Sequence, residues 1–223
     1  MKISKRLEAL SKEVIGFNTV CDVGCDHGLF SIYSILYCGI KHAYLLDINQ
    51  EPLNSAKNNF IKYKLSNATF LLSDGLKDFN EQLDCLVISG IGGYLMTRIL
   101  QDDLDKIKLA NKLILQPNSD FEILRKFLLE NNFEITFENM LLDNKKYCYY
   151  LTAINKKTSF NEEDVLFGPI LRKDINEVYF DYWNSKYINL NNELNKIKDD
   201  NNKIELNKKI NSIKENIIIP YTK

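Results

Sequence analysis

The chain has 223 residues, 45% of them hydrophobic and 26% charged, with 29 Lys and Arg against 30 Asp and Glu. That balance excludes a disordered chain and a polybasic, histone-like protein, and leaves room for a local basic patch. The length suits one large domain or two small ones, with a core that needs no disulfide or metal to hold it.

Up to about residue 155, short apolar runs alternate with amphipathic stretches. The runs are Thr19–Val23, Ala43–Asp47, Ala68–Leu72, Asp84–Ser89, Lys112–Gln116, Phe133–Leu142 and Tyr147–Ile154. The helical stretches are Leu29–Tyr37, Glu51–Lys64, Gly93–Leu100 and Asp120–Asn131, with a weaker one near Leu76–Gln82. Near-continuous apolar strands separated by helices predict a parallel sheet covered on both faces. Only Asp143-Asn144-Lys145-Lys146 separates the last two runs, too short for a parallel return, so the seventh strand is expected to be antiparallel.

From about Lys156 the texture changes. Apolar residues recur at Ile175, Val178, Tyr182, Leu190, Leu194 and Ile197, and again at Leu206, Ile210, Ile213 and Ile217, with Asp199-Asp200-Asn201-Asn202 between as a turn. These spacings predict an antiparallel, coiled-coil-like helical hairpin. Its charges, 12 basic and 11 acidic over 156–223, make it neither an acidic nor a basic arm. The expected division is 1–155 and 156–223, and a cut near Lys157 is expected to leave the first part whole. No run of apolar residues is long enough to cross a membrane, and the start, Met1–Arg6, lacks the apolar stretch of a signal peptide. Cys21, Cys25, Cys38, Cys85 and Cys148 are odd in number and form no C-x-x-C pair. They read as reduced thiols of a cytoplasmic protein, and with His27 and His42 the only histidines, no metal site is expected.

In open α/β sheets, ligands bind beyond the carboxyl ends of the strands. The first strand ends in Asp22-Val23-Gly24-Cys25-Asp26-His27-Gly28, whose glycines allow a tight turn and close approach of a ligand. The second ends at Asp47, placed to accept hydrogen bonds from ribose hydroxyls, and the third at Ser73-Asp74-Gly75, where a carboxylate can accept from adenine N6. Each Asp could equally cap the next helix. The fourth ends in Ser89-Gly90-Ile91-Gly92-Gly93 and the fifth in Gln116-Pro117-Asn118. Asp26 in the first loop repels phosphate, so the expected ligand is an adenosine without phosphates that carries positive charge. S-adenosylmethionine fits.

With these motifs, residues 1–155 look like a class I S-adenosylmethionine-dependent methyltransferase. More narrowly, Ser4-Lys5-Arg6-Leu7, the loop Asp22–His27, the turn Ser89–Gly93 and Leu115-Gln116-Pro117-Asn118 resemble the bacterial tRNA (adenine-22-N1)-methyltransferase family. That family often reads Asp-His-Ala-Tyr where this chain has Asp26-His27-Gly28-Leu29. The resemblance implies a Rossmann-like seven-stranded sheet with an antiparallel last strand and a C-terminal helical hairpin. It also implies S-adenosylmethionine as methyl donor, tRNA as substrate, adenine N1 as acceptor and a hairpin that contacts tRNA. A monomer is expected. The cofactor is expected at Arg6, Asp22, Gly24, Asp26, His27, Gly28, Asp47, Ile48, Asp74, Gly75 and Gly90.

Adenine N1 has a lone pair and no proton, so orientation of the base is the main task. Asp26, Gln116 and Asn118 are the candidate catalytic residues. Asp26 would bind N6 or orient the sulfonium, unless it caps its loop. The two amides would meet a base edge, unless they brace the turn at Pro117. Arg6 could pair with the methionine carboxylate or remain an exposed helix charge. Tyr147, Tyr149 and Tyr150 could stack a base or belong to the core. The lysines of the hairpin, from Lys186 to Lys214, could grip phosphates or form a solvated face. Two other readings stay open: a methyltransferase acting on a small molecule or a protein, and a non-enzymatic binding module.

Overall fold

The computed structural model describes residues 1–82, 84–196 and 199–222. Ile197 and Lys198 lie outside the described residues. After helix α1 (Lys5–Lys12), strands and helices alternate: β1 (Thr19–Val23), α2 (Leu29–Tyr37), β2 (His42–Asp47), α3 (Gln50–Lys62) and β3 (Ala68–Leu72). Then come β4 (Cys85–Ile91), α4 (Gly93–Asp102), α5 (Leu104–Ile107), β5 (Lys112–Pro117), α6 (Phe121–Glu130), β6 (Phe133–Asp143) and β7 (Lys146–Asn155). The strands form one seven-stranded sheet in the order β3-β2-β1-β4-β5-β7-β6. β7 runs antiparallel to both β5 and β6, so it is the expected reversed strand, inserted between its two neighbours.

Side chains of adjacent strand residues point to opposite faces, and the sequence fills both. Leu86, Ile88, Leu113 and Leu115 enter one core cluster, whereas Cys85, Val87 and Ile114 enter the other. The second cluster is closed by α1, α2 and α3, through Leu10, Ile32, Leu53, Ala56 and Phe60. The first is closed by α4 and α6, through Met96, Leu100, Leu124 and Leu128.

One expected element is absent. The stretch near Leu76–Gln82 is a turn at Gly75–Asp78 rather than a helix. Its backbone groups find partners elsewhere: the Leu76 N–H donates to Asp103, and Lys106 donates to the carbonyls of Leu76 and Lys77. A helix is not needed to satisfy them.

The C-terminal part comprises α7 (Glu162–Phe167), α8 (Glu177–Leu194) and α9 (Asp200–Ile213), followed by a π-helical turn at Lys214–Ile218 and α10 (Ile219–Thr222). α8 and α9 pack on each other as a hairpin. The polar stretch after residue 198 is mostly the first turn of α9, because the Asp199 carboxylate accepts the Asn202 N–H at 3.0 Å and starts the helix there. The core crosses the change of texture at residue 155: Phe167, Leu171, Tyr179, Trp183, Ile213 and Ile217 belong to the same cluster as the sheet. Beneath them lies a buried polar knot. Arg125 donates to the carbonyls of Val165 and Leu166 and stands 3.8 Å from Glu138. Glu138 accepts from Tyr149 and from the N–H groups of Ile170 and Leu171. Sheet and C-terminal part are thus fastened through hydrogen bonds as well as apolar contact.

Candidate active site

The carboxyl ends of β1, β2, β3 and β4 surround a cleft of about 460 Å³, within the roughly 300–1,000 Å³ usual for small-ligand sites. Arg6, Asp22, Gly24, Asp26, His27, Asp47, Ile48, Asp74, Gly75 and Gly90 all line it. Gly28, Gln116 and Asn118 do not.

Gly24 sits at φ +75°, its N–H bonded to the Leu46 carbonyl at 2.8 Å, and a Cβ added there would meet no atom within 4 Å. The loop is tied by backbone bonds to the end of β2 and leaves open space above it. Gly28 has a packing role. It begins α2 at φ +66°, where a Cβ would come within 3.0 Å of Ala56 and Leu45.

Asp47 is 9% exposed, and its Oδ1 accepts the Asn49 N–H at 2.9 Å. The residue that precedes α3 as its cap is Asn49, so capping does not account for Asp47. A carboxylate has about four acceptor positions, which leaves capacity for ribose hydroxyls. Ile48, 60% exposed on the cleft wall, offers an apolar surface to a flat ring. Asp74 precedes a turn rather than a helix and is paired with Lys77, which holds its carboxyl below the usual value.

Asp22 lies at the base of the cleft, 5% exposed, and accepts from Ser31 Oγ at 2.8 Å. Burial pushes its carboxyl up to about 7, against the Ser31 hydrogen bond, and the nearby Asp47 and Asp26 add to the rise. Asp26 stands exposed in a left-handed conformation, φ +47°, with His27 Nε2 3.5 Å from its Oδ1. His27 Nδ1 meets Ser55 Oγ at 2.6 Å.

Arg6 is not a free surface charge. Its Nη1 donates to Ser89 Oγ at 2.7 Å and to Gln116 Oε1 at 2.6 Å. Gln116 is 1% exposed and fully engaged. Its Oε1 also accepts the Gly90 N–H, and its Nε2 donates to Pro117 O and to Asn118 Oδ1. Asn118 Nδ2 donates to Gly90 O at 2.6 Å. The two amides therefore knit the ends of β4 and β5 together and place Arg6, and the Gln116 amide presents no edge to a base. Of the tyrosines, Tyr149 and Tyr150 are buried on opposite faces, while Tyr147 is 40% exposed. Among the described residues, no three His, Cys, Asp or Glu side chains gather as a metal-binding group.

The cleft fits a cationic adenosine. Four carboxylates, Asp22, Asp26, Asp47 and Asp74, line it with two cations, Arg6 and Arg98. Residues 20–217 match the tRNA (adenine(22)-N(1))-methyltransferase family, TrmK. The chain belongs to this family. The Bacillus subtilis (strain 168) tRNA (adenine(22)-N(1))-methyltransferase is 29% identical over 192 residues, 82% of this chain and 80% of that protein. A Streptococcus pneumoniae structure in complex with S-adenosyl-L-methionine is 32% identical, with a TM-score of 0.89 over 97% of this chain and 100% of that chain. The M. capricolum TrmK structure in complex with S-adenosyl-homocysteine is 27% identical, with a TM-score of 0.89 over 98% of this chain and 99% of that chain.

Several features of this TrmK-family cleft, the contact made by Ser89 among them, went unread in the sequence. Ser89 is the relay between Arg6 and Gln116. Leu95, Arg98 and Ile99 line the wall from α4. Their spacing of three and four is the available signal: it places them on one helix face directly after the glycine turn.

Proposed function

We propose that this protein transfers a methyl group from S-adenosylmethionine to N1 of adenine 22 in tRNA. The observation that carries this reading is the acid-lined cleft at four successive strand ends, in a chain that belongs to the TrmK family over nearly its whole length. When bound, the cofactor supplies an electrophilic methyl group on a positively charged sulfonium.

The residues of the chain bind and orient. Asp47 receives the ribose hydroxyls, Ile48 covers the adenine ring, and Asp74 accepts from its amino group. Arg6, held by Ser89 and Gln116, keeps the remaining guanidinium donors for the methionine carboxylate. Asp22 and Asp26 counter the positive charge. The acceptor N1 has no proton to lose, so no general base is required. The incoming adenine becomes cationic on methylation, and Asp26 at the cleft mouth is placed to favour that charge. Base pairing blocks N1, so the nucleotide must be unpaired or turned out of its helix.

We assign residues 1–155 to cofactor and base, and the coiled-coil-like hairpin of 156–223 to the RNA, in a metal-free cytoplasmic monomer. The test is incubation with unmodified tRNA and labelled cofactor, then nucleoside analysis. Labelled N1-methyladenosine at position 22 is expected. Label in another nucleoside, or only in a small molecule or protein, would refute the assignment.

A further inference from the structure

A second recess of about 660 Å³ opens on the same edge of the sheet as the cleft. It lies between the β6–β7 turn, the start of α6 and α8. Asn118 connects the two, since it lines the recess while its Nδ2 holds Gly90 O in the cleft. From α6 and the loop before it come Ser119, Asp120 and Glu122; Lys145 and Lys146 come from the turn, and Lys186 from α8. Asp120 Oδ2 accepts from Ser119 Oγ at 2.6 Å. Tyr147 and Tyr182 meet edge to face, 5.5 Å apart, within the recess. Lys186 Nζ lies 4.5 Å from the Tyr182 ring centre and 4.8 Å from that of Trp183.

The turn carries its own signal. Asp143 pairs with Lys146, leaving Asn144 and Lys145 as a two-residue loop with φ +49° and +64°. A loop with both residues left-handed favours Asn followed by Gly. Here the second position is Lys, in a conformation that side chains disfavour, which makes it a candidate for a functional role. Lys145, Lys146 and Lys186 are exposed, and none is in an ion pair among the described residues.

We propose that this recess seats a nucleotide flanking the target adenine, with its base against Tyr147 and Tyr182 and its phosphate on Lys145, Lys146 and Lys186. The inference rests on the tRNA reading above. Lysines position a phosphate, aromatic rings stack an unstacked base, and the carboxylates of Asp120 and Glu122 can accept from exocyclic amino groups. The recess thus presents acceptors, rings and cations together, as a single-stranded nucleotide requires. Continuity with the cleft through Asn118 puts that nucleotide beside the reacting base.

The test uses the full chain and unmodified tRNA. The variant Lys145→Gln/Lys146→Gln/Lys186→Gln should raise the tRNA KM by roughly 10-fold and flatten its dependence on log salt by about 2. Calorimetric affinity for S-adenosylmethionine and kcat at saturating tRNA should hold. Tyr147→Ala should raise the tRNA KM about 5-fold or more, and Tyr147→Phe should restore it. The control Lys41→Gln/Lys62→Gln/Lys64→Gln removes the same charge from exposed positions ahead of β2 and β3, at the opposite edge of the sheet, and should change little. The proposal is overturned if the recess variants leave KM and salt slope unaltered while the parent protein methylates tRNA. It is also overturned if the control variant loses as much as the recess variant. If the parent methylates no tRNA, the functional assignment itself fails.

Discussion

The Arg6 guanidinium donates to Gln116 Oε1 at 2.6 Å across 110 positions of sequence. A cation on the first helix is thereby fixed over the ends of β4 and β5. Gln116→Ala should release it, and S-adenosylmethionine should bind more weakly by about 1–3 kcal/mol, the usual cost of stranding buried partners. Gln116→Glu keeps an acceptor for Arg6 and should lose less. Titration calorimetry on both folded variants measures this, and equal affinities in all three proteins would contradict it.

The Asp26 carboxylate stands 3.5 Å from His27 Nε2 and lines the cleft. Asp26→Asn preserves shape and removes charge. Single-turnover methylation at saturating cofactor should slow roughly 10- to 1000-fold, as for loss of one placed electrostatic group. A normal rate with weakened cofactor binding would move Asp26 to a purely binding role.

The Asp22 carboxyl has an ordinary value of 3.8 and about 7 in the fold, because it is buried. Between those values the folded protein binds more protons than the unfolded chain, so this group's contribution to stability is full below about pH 4 and lost as pH rises through 7. Asp22→Asn should flatten the melting temperature against pH across that window. A positively charged ligand favours the ionised form, so cofactor affinity should rise from about pH 6 to pH 8 with release of a proton. Calorimetry in two buffers of different ionisation enthalpy detects that proton, and its persistence in Asp22→Asn would assign it elsewhere.

Removal of the chain after Lys157 should unfold the protein, contrary to the expectation drawn from the texture of the sequence. The cut takes away the Val165 and Leu166 carbonyls that Arg125 uses and the N–H groups that Glu138 uses. The milder change Glu138→Ala leaves Arg125 buried without its carboxylate and should cost roughly 3–5 kcal/mol. Urea melts followed by circular dichroism would measure both. A cooperative transition in the truncated chain would show that the sheet stands alone.

The strands were legible because both faces of the sheet are covered, so each reads as an apolar run bounded by polar turns. Asp47 and Asp74 were legible as well, since a strand end is a local feature. What escaped was long-range. Nothing near Gln116 announces that its partner is Arg6, and nothing in β6 announces that Glu138 will be buried by residues 170 and 171. The stretch after Gly75 looked helical because local pattern cannot see Asp103 and Lys106 arriving to satisfy its backbone. The position of β7 between β5 and β6 follows from pairing, which periodicity does not encode.

That position has a consequence for the order in which the protein can assemble during synthesis. Among the described residues β6 bonds only to β7, so when it emerges from the ribosome it has no strand to join. Until residues 146–155 follow, the β5 edge is open, and an open edge invites pairing with other chains. The Arg6 N–H also lacks the carboxylate it donates to until Asp143, its 3.4 Å acceptor, has been made. The nascent chain therefore carries every acid of the cleft well before the last partner of the first helix exists. Methyl-donor binding should begin only when the reversed strand closes the sheet, which couples completion of the fold to the first moment at which the enzyme can act.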